Sequence, residues 1–246
     1  MRTLVSGFAL AAALVGLTLD AAPARAGTIV VANDEWTLTD TGFAVAPGTT
    51  QFVKNLVHEF GSRIHAYSTN FGFTQGSLAS AMTGAGATYS TGTGITFDLP
   101  TLSTYDGIFL GGTYLDATQL AALQAYVNAG GSVYIAGGTG IGGAATEAAA
   151  WNTFLGAYGL SFNSGYNGVS GDIPVAGDPL FNGVGSLFQD NGNGITGAGV
   201  VCCARSNELY AVVRTDPNDN AVPEPASLLL LGVGLGGLAW ARRRQA

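Results

Sequence analysis

The chain has little charge, and positive charge above all. Of its 246 residues only 10% are charged, with nine Lys and Arg against sixteen Asp and Glu. Five of the nine basic residues, Arg2, Arg25 and Arg242 to Arg244, lie at the two ends. Between residues 27 and 221 only Lys54, Arg63, Arg205 and Arg214 remain, against fourteen acidic residues, a formal charge of −10. Such a surface repels a phosphate backbone, so no nucleic-acid partner is expected. Histidine is confined to His58 and His65, and cysteine to the adjacent pair Cys202-Cys203. Two neighbouring thiols with no histidine after them make a poor metal site, and no cofactor is expected. The pair could be buried thiols on a strand, a vicinal disulfide or an intermolecular bridge. The apolar Val200-Val201 before it favours buried thiols.

Long apolar runs are limited to the ends. Arg2 is followed by an apolar stretch from Leu4 to Leu19 and then by Ala24-Arg25-Ala26, the small-x-small pattern that signal peptidase reads. Cleavage after Ala26 would leave Gly27 as the first mature residue. The run is short for a spanning helix, which favours a cleaved leader over a permanent anchor. At the other end, Val222-Pro223-Glu224-Pro225 precedes the apolar stretch Ala226 to Ala241 and the cluster Arg242-Arg243-Arg244. Sixteen helical residues rise about 24 Å, marginally enough for a bilayer core. The arginines would stay on the cytoplasmic side, and the two prolines would hold the backbone extended on the outer face.

Val-Pro-Glu-Pro, a short Leu/Gly segment and a terminal Arg cluster together resemble the PEP-CTERM sorting signal over Val222 to Gln245. The resemblance implies recognition by an exosortase and removal of the apolar tail. It also implies a setting of exopolysaccharide or biofilm production. The chain thus divides into a signal peptide (1–26), one domain (27–215), a linker (216–221) and a sorting segment (222–246), with transient inner-membrane anchoring before processing. The final location would be the cell surface or beyond.

Within the domain, Thr28 to Ala32 is a β-branched run that reads as a buried strand. Phe52, Val53, Leu56, Val57 and Phe60 repeat at helical spacing after Pro47-Gly48, and Gly61 stops that helix. A short strand is expected over residues 63–68 and a weaker helix over 75–82. Tyr105 to Gly112 is a strand ending in paired glycines. Asp116 caps a helix carrying Leu120, Leu123, Tyr126 and Val127, and Ser132 to Ala136 is another buried strand closed by Gly137-Gly138-Thr139-Gly140. A helix over 144–158 follows, with Trp151, Phe154 and Leu155 inward. Glycine and asparagine then dominate to Gly199, and residues 200–214 read as a terminal hairpin or edge pair. Alternating strands and helices with short connections predict a three-layer α/β domain with a mainly parallel sheet and helices on both faces.

The stretch from Tyr105 to Thr139, with YDGIFLGG…L…LQAYVNAGGSVYIAGG, resembles the class I glutamine amidotransferase-like fold, close to the flavodoxin-like architecture. In that family the turn after the second strand carries a catalytic cysteine. Here it falls near Gly137, where Gly137, Gly138 and Thr139 offer no thiol. The family's His and Glu follow that turn, whereas both histidines of this chain precede it. The triad has no counterpart, and no catalytic residue is assigned.

Asp34-Glu35 follows the first strand, where open α/β sheets place ligands. With Asp106, Gly137 and Gly138 it could line an acidic crevice suited to a cation or to sugar hydroxyls. Phosphate binding at the Gly137–Gly143 turn lacks a fingerprint or a following Lys. Asp190 to Gly194 reads as a turn, because glycines occupy positions where a calcium loop needs oxygen ligands. The expected function is that of a non-enzymatic surface or matrix protein that could bind exopolysaccharide. The alternative is a metal- or carboxylate-dependent hydrolase-like enzyme acting outside the cytoplasm.

Overall fold

A computed structural model of the chain describes residues 27–203 and 209–215. The leader with Ala24 and Ala26, the linker and the sorting residues Val222 to Pro225 and Arg242 to Arg244 lie outside the described residues. No helix among the described residues is long and apolar enough to cross a membrane.

The elements follow in the order β1 (Thr28–Ala32), α1 (Asp40–Val45), α2 (Thr49–Phe60), β2 (Arg63–Ala66), α3 (Phe71–Thr74), α4 (Gly76–Gly84), β3 (Thr88–Thr91), α5 (Leu99–Leu102) and β4 (Gly107–Leu110). Then come α6 (Ala117–Asn128), β5 (Ser132–Ala136), α7 (Ala144–Gly156), β6 (Leu160–Tyr166), β7 (Ser170–Pro174), β8 (Ser186–Asp190), β9 (Asn193–Gly197), β10 (Val200–Cys202) and β11 (Tyr210–Arg214). Seven strands form the central sheet in the order β10-β11-β1-β5-β4-β2-β3. The five from β1 to β3 are mutually parallel. The hairpin β10–β11 extends the sheet, with β11 antiparallel to β1. The pairs β6–β9 and β7–β8 form two small antiparallel sheets outside it.

Strand alternation divides the core in two. Val30, Ala32, Phe109, Tyr134 and Ala136 face one side and meet Phe52, Leu56 and Phe60 of α2, Leu78 of α4 and Leu187 of β8. Ile29, Val31, Ile108, Val133 and Ile135 face the other and meet Leu123 and Val127 of α6, Trp151 and Phe154 of α7 and Phe162 of β6. The result is a mixed α/β architecture with a mostly parallel sheet covered on both faces, because its strands are apolar on both sides. Each fully buried side chain of this size contributes about 1.5–3 kcal/mol through removal from water.

Local chemistry sets the element ends. Asp116 and Gln119 form a reciprocal capping box at the start of α6, the Gln119 amide donating to Asp116 Oδ1 (2.8 Å) and the Asp116 amide to Gln119 Oε1 (3.0 Å). Gly61 ends α2 at φ +112°, a conformation that only glycine adopts without strain. Cys202 and Cys203 are joined in a vicinal disulfide. The expectation of two buried strand thiols is therefore corrected: Cys202 is buried on β10, but its sulfur is bonded to its neighbour's.

Candidate functional site

The loops after β1 and β5 leave the sheet on opposite sides. β1 leads to α2, which packs on one face, and β5 leads to α7, which packs on the other. Adjacent parallel strands whose connections diverge leave a crevice between their carboxyl ends, the place where open α/β sheets bind ligands.

Glu35 and Glu147 meet at this point. Glu35, two residues beyond the β1 extension at Asn33, is 6% exposed and accepts a hydrogen bond from Asn70 Nδ2, which comes from the loop after β2. Glu147 lies in the first turns of α7 and is wholly buried. Its Oε1 accepts from the Thr139 amide (3.0 Å) and from the Thr139 hydroxyl, while Oε2 is buried without a hydrogen-bond partner. Burial pushes the Glu35 carboxyl up to about 7. The Asn70 hydrogen bond opposes that shift, and the charge of Glu147 adds to it. Burial likewise raises Glu147, against the two bonds from Thr139 and a weaker one from the Gly138 amide.

Two tyrosines complete the group. Tyr114, in the loop after β4, donates its hydroxyl to the Ile141 carbonyl and is pushed up to about 12 by burial, with the Glu147 charge adding. Tyr166, at the end of β6, is 40% exposed, and its hydroxyl is raised by burial and by the charges of Glu147 and Glu35. Phe71 (38%) and Ile141 (44%) are exposed beside them. The Trp36 ring, next to Glu35, packs edge-on against Phe71 at 5.2 Å. Large apolar side chains are usually covered, so their concentration around two desolvated carboxylates marks this end of the sheet.

The sequence-derived candidates fare unequally. Glu35 is at the site. Asp34 is not, because its carboxylate turns inward, with Oδ1 accepting from the Trp36 amide (2.9 Å) and Oδ2 from the Asp190 amide (2.6 Å). It is fully buried and pushed up to about 7 by desolvation. Gln189 supports it: with its amide oxygen toward the hydroxyls of Tyr210 and Thr37, its nitrogen reaches Asp34 Oδ2 at 3.0 Å. Asp106 precedes β4 at the opposite end of the sheet. There it accepts from Arg63 (2.7 Å) and from the Ser62 and Arg63 amides, and the Arg63 guanidinium holds it below the usual carboxylate range. Parallel strands place their starts and ends at opposite poles, so Asp106 and Glu35 cannot share a crevice.

Gly137 and Gly138 lie beneath the site, packed closely. A Cβ on Gly137 would lie 2.9 Å from the Asn33 carbonyl, and one on Gly138 would lie 2.7 Å from Gly192. Their amides donate to the Ala32 carbonyl (3.0 Å) and to Asn193 Oδ1 (3.0 Å). With the Thr139 amide on Glu147, none of the three is left for a phosphate. Asp190 to Gly194 forms the β8–β9 turn, with Asn191 at φ +62°.

His65 is buried, its ring stacked on Tyr105 and bonded to Ser90 Oγ (2.8 Å) and the Gly92 carbonyl (3.0 Å), and burial lowers its pKa. His58 is exposed on α2. Among the described residues no three His, Cys, Asp or Glu side chains gather to hold a metal ion. A groove of about 780 Å³ between α1, α2 and α4 includes Asp40, Lys54 and Ser77. Asp40 Oδ1 in this groove accepts from the Ser77 amide (2.9 Å).

Glu147 escaped the sequence reading, although it carried a signal. It stands four residues before Trp151 and seven before Phe154, so it shares their inward face, the one acid on an alanine-rich helix. No curated protein and no solved structure matches the chain. Residues 221–244 match the PEP-CTERM protein-sorting motif, and the chain thus carries the sorting signal of an exosortase substrate.

Proposed function

We propose that this is an exported, exosortase-processed surface protein whose switch-point site binds a neutral, polyhydroxylated ligand of the exopolysaccharide layer without transforming it. The observation that carries the reading is that exposed Tyr166 feels the charges of Glu35 and Glu147, while exposed Phe71 packs on Trp36 next to Glu35. A sugar presents an apolar C–H face that packs on aromatic rings, and hydroxyls that donate to carboxylates. A net charge of −10 over residues 27–221 disfavours an anionic ligand.

The fold reading beneath this is an amidotransferase-like domain that has lost its chemistry. The resemblance noted at Tyr105 to Thr139 supports this reading, and the turn where the family places its nucleophile holds Gly137, Gly138 and Thr139. Thr139 directs its hydroxyl to Glu147, with no histidine among its partners. The sorting tail favours cell-envelope processing and transient inner-membrane anchoring, with a role in biofilm material as the setting.

The test is titration of the organism's own exopolysaccharide, and of oligosaccharides cut from it, into the exported protein purified from the producing cells, followed by Trp36 fluorescence and calorimetry. Binding is expected, weakened about tenfold by Tyr166→Ala and by Phe71→Ala. An intact circular-dichroism spectrum with no detectable binding would overturn the reading.

One observation favours a second, hydrolytic reading: Glu35 at about 7 is half protonated at neutral pH, as a general acid requires, and Glu147 stands beside it. Release of reducing ends from the same polysaccharide, abolished by Glu35→Gln, would establish that reading in place of the first.

A further inference from the structure

β3 forms one edge of the central sheet, with β2 parallel to it on its inner side. The Thr88 amide donates to the Ser62 carbonyl (2.7 Å) and the Gly92 amide to the Ala66 carbonyl (3.0 Å). Backbone groups alternate along a strand, so residues 88, 90 and 92 turn theirs toward β2 while Tyr89 and Thr91 turn theirs outward. Among the described residues, neither the amide nor the carbonyl of Tyr89 or Thr91 has a partner. Thr88, Ser90 and Thr91 are exposed, and Tyr89 is half-buried. Such a row of open groups is a template for another strand.

Sheet edges are normally blunted by charge, by proline, by a bulge or by extreme shortness. The opposite edge shows two of these. β10 has three residues, and its register with β11 shifts between Val200 and Cys202. β3 is paired regularly with β2 over all four residues, and from Ile64 to Phe97 the chain contains no Asp, Glu, Lys, Arg or Pro. The strand is also held in shape. Tyr89 donates its hydroxyl to the Phe73 carbonyl (2.7 Å) and its ring meets Phe109 edge-on at 6.4 Å, while Ser90 Oγ bonds His65 Nδ1 (2.8 Å). A strand fixed in advance loses little freedom on pairing. The neighbouring helix α4 exposes only small side chains, Ala79, Ser80 and Thr83, and leaves room beside the edge.

We propose that β3 pairs antiparallel with β3 of a second copy of this chain, joining the two central sheets into one. A two-fold axis at Ser90 sets Tyr89 of each copy opposite Thr91 of the other. Each such pair exchanges two backbone bonds, so every outward group of both residues is used. Charge favours a second copy meeting the first here. A domain carrying −10 over residues 27–221 repels its like, and this charge-free edge is where two copies approach without that cost. Antiparallel pairing reverses the strands of one copy relative to the other, so the two Glu35/Glu147 poles face opposite ways. The inference does not depend on what those sites bind.

The test is the mass in solution of the exported protein purified from the producing cells, measured by sedimentation equilibrium at micromolar concentrations. A dimer is expected. Thr91→Pro removes an outward donor and leaves the bonds to β2, so it should weaken association more than about tenfold with an unchanged circular-dichroism spectrum. Should the proline variant fold poorly, Thr91→Lys guards the same edge with charge. Register is read separately by single cysteines. Ser90→Cys, on the axis, should cross-link the two copies without reductant, whereas Thr88→Cys, about 14 Å from its counterpart, should not. A monomeric protein, or a dimer whose affinity survives both Thr91→Pro and Thr91→Lys, would overturn the proposal. Cross-linking at 88 as strong as at 90 would overturn it as well.

Discussion

Glu147 and Thr139 share two hydrogen bonds through a single carboxylate oxygen. The Thr139 amide and hydroxyl both donate to Oε1, which leaves Oε2 buried and unbonded. Two donors fix the carboxylate's direction, and a desolvated oxygen without a partner is costly to keep.

Glu147→Gln and Glu147→Ala should therefore separate. The amide keeps an acceptor for Thr139 and removes a buried charge, so Glu147→Gln should leave stability unchanged or raise it at pH 8. Alanine strands both Thr139 donors and should cost about 1–3 kcal/mol. Urea denaturation measures both, and equal destabilisation by the two variants would contradict this account of the Thr139 bonds.

Acidic conditions should stabilise the domain. Asp34, Glu35 and Glu147 have folded pKa values raised by burial, the first two to about 7 from ordinary values of 3.8 and 4.5. Between those limits the native state binds more protons than the unfolded chain, so stability falls as pH rises toward 7. Asp106, held low by Arg63, and Asp178, where the Arg214 bonds outweigh burial, act oppositely only below the ordinary carboxylate pKa. His65, lowered by burial, opposes the trend below about 6.5 without outweighing three carboxyls. The melting temperature should be a few degrees higher at pH 5 than at pH 8, and Asp34→Asn should flatten the profile. A melting temperature that rises from pH 5 to pH 8 would refute the assignment.

Gly131 and Gly156 make a matched comparison. A Cβ at Gly131 would fall 2.2 Å from the ring of Tyr126, which is 2% exposed and tied by its hydroxyl to the Tyr105 carbonyl (3.2 Å). At Gly156, the last residue of α7, nothing lies within 4 Å. Gly131→Ala should cost about 1–3 kcal/mol by overpacking, whereas Gly156→Ala should be neutral or gain up to about 1 kcal/mol. Thermal melts of the two variants give the answer directly.

The vicinal disulfide closes the shortest loop two cysteines can form, so its restriction of the unfolded chain is small, about 1 kcal/mol. The native protein should show no free thiol from this pair, and two after reduction. Reduction should lower the melting temperature by no more than about 4 °C. A collapse of the fold on reduction would mean that the bond holds more than the end of β10.

Much of the fold was legible because its signals are local. β-branched runs at Thr28–Ala32 and Ser132–Ala136, the apolar face of α2 and the cap at Asp116 each act over a few residues. The sorting tail is likewise a linear pattern, and a short stretch of sequence is enough to specify it. The site was legible only in part. Asp34 and Glu35 are adjacent and chemically alike, yet the chain turns here out of β1 into the helical turn at Trp36–Leu38, with Glu35 at φ −85° and ψ −16°, and the two carboxylates part. One is consumed by the Trp36 and Asp190 amides, and the other faces Asn70 and Glu147.

What the sequence alone determined is the sorting motif at residues 221–244 and the acidity of the stretch before it. Only the tertiary structure decided that Glu35, Asn70, Thr139 and Glu147 meet while Asp106 lies at the far pole. Only it brought Gly27 and Thr215 together across 188 residues. These pairings follow from strand order and direction, which depend on packing between distant segments and leave no trace in any short window of sequence.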